Sequence, residues 1–341
     1  MEVNMLNFNQ SRFEKVISDA LAMRPGIEKA VDEIVERGFS NLFFIGVGGT
    51  YAHALPIKYW LDSETDIESH VEIASEFMAR KHRRFSKDSV CIFSTRSGNT
   101  KEILEAAKFC QDAGARVFVY VSNPDTPIYD HADYLVQSFA EDDHLGEAIY
   151  LYMYMLVARL LDKVGEIDDY EAFMSDLEQI APYLVRGKER YDSVAEQFAT
   201  RYKDYTYHMV VGAGMVWGEA YDYAMCILEE MQWIHAKSIH SAEFFHGTLE
   251  MVEKDTSLLV LQGVDEGRPQ TERVLRFAKH ITEHTTVFDT EEVELPFKSY
   301  KYKKLMSPMV VYSLLERLSR HLEDKRNHPL TTRRYYRQFD Y

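Results

Sequence analysis

Residues 44–54 read FIGVGGTYAHA, and residues 210–220 read VVGAGMVWGEA. Gly46, Gly48 and Ala54 fall on Gly212, Gly214 and Ala220, an offset of 166 (212 − 46). Two further stretches repeat in the same order. Ser75-Glu76-Phe77 falls on Ala242-Glu243-Phe244, and TKEILEAAK (100–108) falls on TERVLRFAK (271–279). The drift in offset is what loop insertions produce. A repeat period near half the chain indicates two similar domains rather than a solenoid. The expected organisation is a first domain over 1–165, a helical connector over 166–204, and a second domain over 205–341 that carries a C-terminal tail.

Composition agrees with two folded domains. The 341 residues suit two domains of roughly 150 residues each. Hydrophobic residues make up 46% and aromatics 13%, which argues against disorder. A net charge of −16 excludes bulk nucleic-acid binding, which needs clustered Lys and Arg. Cys91, Cys110 and Cys226 are odd in number and widely spaced, so they read as core thiols rather than a disulfide framework or metal site. The N-terminus lacks a signal-peptide pattern, and the apolar run Ala148–Leu161 is too short to span a membrane and carries Arg159. The expectation is a cytoplasmic protein.

Strands and helices alternate. Apolar runs at 41–45, 70–73, 90–93, 116–121 and 134–136 read as strands of the first half. Runs at 207–211, 236–240, 257–261 and 285–288 read as strands of the second. Helical periodicity covers 12–37, 51–61, 100–113, 146–164, 217–234, 270–282 and 307–322. The pattern predicts an α/β protein of two parallel sheets, each flanked by helices in a three-layer sandwich. In such sheets ligands sit beyond the strand C-termini.

Two turns in the first half are built for an anion. Thr95-Arg96-Ser97-Gly98-Asn99-Thr100 follows a strand and opens onto a helix, and Gly48-Gly49-Thr50 makes a second such turn. Helix N-termini present unpaired amides and partial positive charge, and hydroxyls add donors for phosphate oxygens. The competing reading makes these hydroxyls helix caps. One would suit that role; a run of this density suits a phosphate site. The matching turn of the second half, Gln262 to Arg268, has lost the hydroxyls and gained Asp265 and Glu266. Gly46-Val47-Gly48-Gly49 lacks the third glycine of a dinucleotide fingerprint, so no nicotinamide cofactor is expected.

The densest polar cluster runs from Leu228 to Gly247, with carboxylates at 229, 230 and 243 and imidazoles at 235, 240 and 246. Carboxylate and His are the usual acid–base pair for moving protons between sugar carbons. The imidazole spacings of five and six do not match a helical zinc site, so no metal is expected. Glu243 repeats Glu76, which favours an architectural role, and His235 suits a helix C-terminus. His246 falls on Ala79 or Arg80, and Glu230 on Ser63-Glu64, which is expected to lie beyond the first helix; neither has a counterpart, so they form the preferred catalytic pair.

The Gly-Gly-Thr turn, the Ser-Thr-Arg-Ser-Gly-Asn-Thr loop and the duplication resemble sugar isomerase (SIS) domains. The stretch Glu230-Met-Gln-Trp-Ile-His…Glu243-Phe-Phe-His246-Gly and the tail Pro-Leu-Thr-Thr-Arg-Arg-Tyr are similar to the Amadori-product deglycases within that family. The resemblance covers nearly the whole chain. It implies cleavage of a 6-phosphorylated fructosamine, such as fructoselysine 6-phosphate, to glucose 6-phosphate and an amino acid, with no cofactor. It assigns catalysis to Glu230 and His246, sixteen residues apart (246 − 230). It assigns phosphate binding to Thr50, Thr95, Ser97 and Thr100, with Gly48, Gly49, Arg96 and Asn99 in the same loops. It also implies a homodimer or higher homo-oligomer whose site is completed by a neighbouring subunit, and the aromatic tail (Tyr335, Tyr336, Phe339, Tyr341) suits docking over a site or partner. One departure is Gly247-Thr248, where the family has Gly-Pro; losing the proline is expected to loosen that loop. The alternative activities are an aldose–ketose sugar-phosphate isomerase and a hexosamine 6-phosphate deaminase.

Overall fold

The first half folds as α1 (Gln10–Leu21), α2 (Arg24–Arg37), β1 (Asn41–Gly46), α3 (Gly49–Glu64), β2 (Ser69–Ile73), α4 (Ala74–Arg80), β3 (Ser89–Thr95), α5 (Lys101–Asp112), β4 (Arg116–Val121), β5 (Tyr134–Gln137), α6 (Leu145–Val164) and α7 (Tyr170–Leu177). The second half continues with α8 (Ile180–Tyr202), β6 (Tyr207–Gly212), α9 (Trp217–Asp222), a π-helical stretch over Tyr223–Glu229, β7 (His235–His240), β8 (Leu258–Gln262), α10 (Arg268–Ala278), β9 (Thr285–Asp289) and α11 (Tyr300–Arg326). This computed structural model describes residues 4–336, 338 and 339; Tyr341 of the tail lies outside the described residues.

The chain divides into two compact units. One comprises residues 11–182 with 296–298. The other comprises the stretch ending at Gln10, residues 183–295, and the part from Ser299 onward. The division falls inside α8, so the charged segment 166–204 is shared between the units.

The first unit holds a five-stranded parallel sheet in the order β2-β1-β3-β4-β5. Its central strands are buried on both faces, which explains their near-continuous apolar sequence. Alternation along β4 shows this. Val117, Val119 and Val121 join Phe43, Phe93 and Ile103 in one core cluster. Phe118 and Tyr120 pack against Tyr152 of α6, with ring centroids 5.6 Å apart in each case. The second unit holds a four-stranded parallel sheet in the order β7-β6-β8-β9. Met209, Val211, Leu258 and Val260 cluster there with Phe244 and Val274.

The duplication is visible in the strands. β1 and β6 begin at 41 and 207, and β2 and β7 at 69 and 235, both offsets of 166. The offset grows to 169 at β3 and β8 (258 − 89) and holds at β4 and β9 (285 − 116). In each sheet the chain leaves its first strand toward one edge and its third-visited strand toward the other. The turns after β1 and β3 therefore flank a topological switch point, as do those after β6 and β8.

Several elements differ from expectation. The helix expected over 12–37 is two helices, because Pro25 supplies no amide to continue α1 and sits in the first turn of α2. α4 was not anticipated; seven residues are too few to establish a 3.6-residue period. The helix expected over 217–234 is α-helical only to Asp222, then widens to π and ends at Trp233, whose φ is +56°. The last helix begins at Tyr300 rather than 307 and accommodates Pro308 within it.

Candidate active site

The two hydroxyl-bearing turns of the first unit stand on the ends of β1 and β3. Gly48 has φ +53° and ψ −128°, a conformation L side chains avoid, and it opens α3. Thr50 closes that turn on itself: its hydroxyl accepts from the Val47 amide at 3.1 Å and donates to the Val47 carbonyl at 3.0 Å. After β3, the buried Thr95 hydroxyl accepts from the Gly98 amide at 3.1 Å and keeps its own proton to donate. Gly98 has φ +60°, and a Cβ there would lie 2.0 Å from Thr126 Oγ1. The Ser97 and Thr100 hydroxyls lie 3.4 Å apart, and the Asn99 amide donates to Ser97 Oγ at 3.4 Å. Arg96 pairs with Asp142 at 2.5 Å. Thr100 is the N-cap residue of α5, yet its side chain makes no capping hydrogen bond. The hydroxyls of Thr50, Thr95 and Ser97 each accept an amide of their own turn, whereas Thr100 does not cap its helix.

Glu230 and His246 belong to the second unit. In the π-helical stretch the Glu230 amide donates to Met225 O at 3.0 Å, and the Gln232 amide to Ile227 O at 3.0 Å, both five residues back. Each extra residue in a turn swings the following side chains by roughly 100°. Glu230, Glu229, Trp233 and His235 thereby line a cavity of about 530 Å³ together with the tail residues Arg333 to Tyr336. Arg333 Nε pairs with Glu230 Oε1 at 2.9 Å, with both side chains less than one-third exposed or close to it (16% and 32%). Below Glu230, burial pushes the carboxyl of Asp222 up to about 6; a hydrogen bond from Cys226 opposes the rise and the Glu230 charge adds to it.

His246 ends a short 3-10 turn (Phe244–His246) beyond β7 and is exposed. It does not line the Glu230 cavity. The expected loosening after His246 meets a counterforce: Lys237 Nζ of β7 donates to the Thr248 hydroxyl at 3.1 Å. His240 is half-buried beside Trp217, and burial lowers its pKa while Glu243 raises it. One premise of the sequence reading is corrected. α3 extends to Glu64, which the offset of 166 places on Glu230, so the first copy does carry a counterpart carboxylate.

Sequence reasoning passed over Arg333 and Arg334, attending to the tail's aromatics. Arg334 lies over the Trp233 ring at 4.1 Å, and Trp233 packs edge-on against His328 at 4.6 Å. A run of basic residues in an acidic chain was the available signal.

Comparison with known proteins shows the family of the chain. A family model described as the SIS domain matches residues 38–161. The fructosamine deglycase of Bacillus subtilis is 30% identical over 317 residues, covering 92% of this chain and 97% of that protein. The fructoselysine 6-phosphate deglycase of Escherichia coli is 25% identical, covering 95% of this chain and 92% of that protein. The crystal structure of a candidate phosphosugar isomerase from Bacillus subtilis superposes with a TM-score of 0.89 at 29% identity, over 95% of this chain and all of that one. Among the described residues, no helix is long and apolar enough to cross a membrane.

Proposed function

The chain belongs to the SIS-domain family that includes the fructosamine deglycases, and on that footing we propose that it is a deglycase acting on a 6-phosphorylated fructosamine of the fructoselysine 6-phosphate kind. The observation that carries the reading is Glu230: a widened helical turn sets it on the wall of a cavity, with its carboxylate held by Arg333.

The hydroxyls of Thr50, Thr95, Ser97 and Thr100 and the amides of their turns hold the ester at C6. His246, contributed by a neighbouring subunit, opens the sugar ring by moving a proton at oxygen. Glu230 takes a proton from C1 of the ketosamine; the electron pair of that bond forms the C1=C2 double bond while the C2 carbonyl π pair moves onto its oxygen, which takes a proton to give the enaminol. A proton returned to C2 gives an aldimine. Water adds to its carbon and the C–N bond breaks, yielding glucose 6-phosphate and the free amino acid. General acid–base groups of this kind each contribute about 10²–10⁴-fold. The enzyme acts as a homodimer or higher homo-oligomer, in the cytoplasm, without cofactor.

The test offers phosphorylated glycated amino acids and follows hexose phosphate release. Glu230→Gln is expected to lower kcat by at least about 10³-fold while leaving binding of a hexitol 6-phosphate within a small factor of the parent. Near-normal turnover by that variant removes Glu230 as the base. Conversion of fructose 6-phosphate to glucose 6-phosphate without any cleavage of glycated substrates would favour the isomerase instead.

A further inference from the structure

Resting on the deglycase reading, we infer that Arg334 recognises the carboxylate of the substrate's amino-acid half, in the cavity beside Glu230. The two tail guanidiniums differ in what they already hold. Arg333 is committed: it pairs with Glu230 and donates to the carbonyls of Leu330 at 2.7 Å and Thr332 at 3.0 Å. Arg334 lines the same cavity and is exposed, and among the described residues it has no carboxylate within ion-pair reach. Its contacts are to aromatic faces, Trp233 at 4.1 Å and Tyr335 at 6.0 Å.

Stacking of this kind orients a guanidinium while leaving its edge donors unused, and those donors match a carboxylate in two-point fashion. The platform is itself maintained at a cost. Trp233 ends the helix in the left-handed conformation that glycine or asparagine usually supplies, and the residue is 38% exposed. The cavity volume of about 530 Å³ lies within the range of small-molecule sites. With Glu230 as the base at C1, the nitrogen substituent of the ketosamine is the part of the substrate nearest this wall. A glycated amino acid carries a carboxylate there; a glycated amine does not.

The experiment compares two 6-phosphorylated fructosamines, an amino-acid adduct that the wild type cleaves and the adduct of the corresponding decarboxylated amine. For the wild type the ratio of kcat/KM values is expected to favour the amino acid by about 10–100-fold, the worth of one charge-assisted pair. Arg334→Ala is expected to bring that ratio close to one, and Arg334→Lys to an intermediate value, since lysine keeps the charge but not the planar fork. A ratio unchanged in Arg334→Ala overturns the assignment. If the wild type cleaves no adduct at all, the deglycase reading itself falls, which is a different result from an unchanged ratio.

Discussion

The turn after β3 and the turn after β8 descend from one sequence, and they solve the same electrostatic problem in opposite ways. Both stand beside a left-handed glycine at matching positions, Gly48 with φ +53° and Gly214 with φ +55°. In the first unit the turn carries hydroxyls and no carboxylate. In the second, Asp265 folds its own carboxylate into the turn. Its Oδ1 accepts from the Gly267 amide at 2.8 Å. A Cβ at Gly214 or Gly263 would lie 1.9 or 2.2 Å from a carboxylate oxygen of Asp265. The side chain is 3% exposed, and burial raises its pKa against the lowering effect of the Gly267 and Met215 amides. If the first turn holds phosphate as proposed, the second unit carries an internal carboxylate where the first takes an external anion. A duplicated fold can retire a ligand site by covalently supplying the ligand's charge.

The sharpest way to break this contrast is to add one methyl group to each turn. Gly98→Ala forces a side chain into the left-handed region and against Thr126, where the new Cβ would meet Thr126 Cβ at 2.6 Å. The expected cost is about 3 kcal/mol of stability, and displacement of the turn should weaken hexitol 6-phosphate binding at least about 100-fold by removing charge-assisted hydrogen bonds. Gly263→Ala, in the turn after β8, puts its Cβ 2.2 Å from Asp265 Oδ2 instead and should also cost stability, with ester affinity unchanged. Denaturant unfolding and calorimetric titration measure both quantities. Equal loss of ester affinity in the two variants would mean that the turns do not differ in role.

A second variant asks whether Asp265 is the stand-in anion. Asp265→Ser restores the kind of hydroxyl the first copy carries and strips the Gly267 amide of its acceptor. A buried unsatisfied donor costs about 1–3 kcal/mol, so a loss near 2 kcal/mol is expected. Inorganic phosphate should then recover part of that loss in the variant, read as a rise in Tm beyond the one phosphate gives the wild type. A variant as stable as the parent, with no extra response to phosphate, would show that the carboxylate merely fills space.

Much of this was legible in the sequence because it is written in local terms. Buried parallel strands have apolar runs, and glycines at Gly48 and Gly214 mark turns that only glycine tolerates; both signals survive without knowledge of tertiary contacts. The two-sheet α/β architecture and the duplication followed from them. What was not legible depended on distant partners. The π-helical stretch over Tyr223–Glu229 has a sequence that reads as ordinary helix, and nothing local shows that Glu230 will be swung toward Arg333, 103 residues later (333 − 230). The Asp265 carboxylate read as a lost phosphate site, but its insertion among three glycines needed coordinates. Glu64 was set aside as a counterpart of Glu230 because the helix was expected to end at Leu61, its last apolar position, whereas α3 runs three residues further.

The smallest expected effect concerns a pair of facing strand positions that the copies fill differently. Leu42 of β1 faces Val90 of β3. One residue before the Met209–Leu258 pair of the second sheet, which corresponds in register to Phe43–Cys91, His208 bonds Ser257 through Nδ1 at 2.8 Å. Burial, with help from the Arg326 charge, holds His208 down to about 4. A depressed imidazole binds its proton more readily in the unfolded chain, so its stabilising contribution is complete above the ordinary value of 6.5 and is lost as pH falls toward 4. From pH 7 to pH 5 the loss is about 2 kcal/mol. His53 of α3, buried and held to about 3, adds a similar acid sensitivity in the first unit. The double variant His208→Leu, Ser257→Val copies the first sheet's pair and should remove only the His208 part. Urea unfolding at pH 7 and pH 5 should therefore show the variant losing about 2 kcal/mol less than the wild type on acidification. Equal losses in both proteins would mean that His208 does not titrate differently in the folded and unfolded chains, and that the polar pair is as inert as the leucine and valine it replaced.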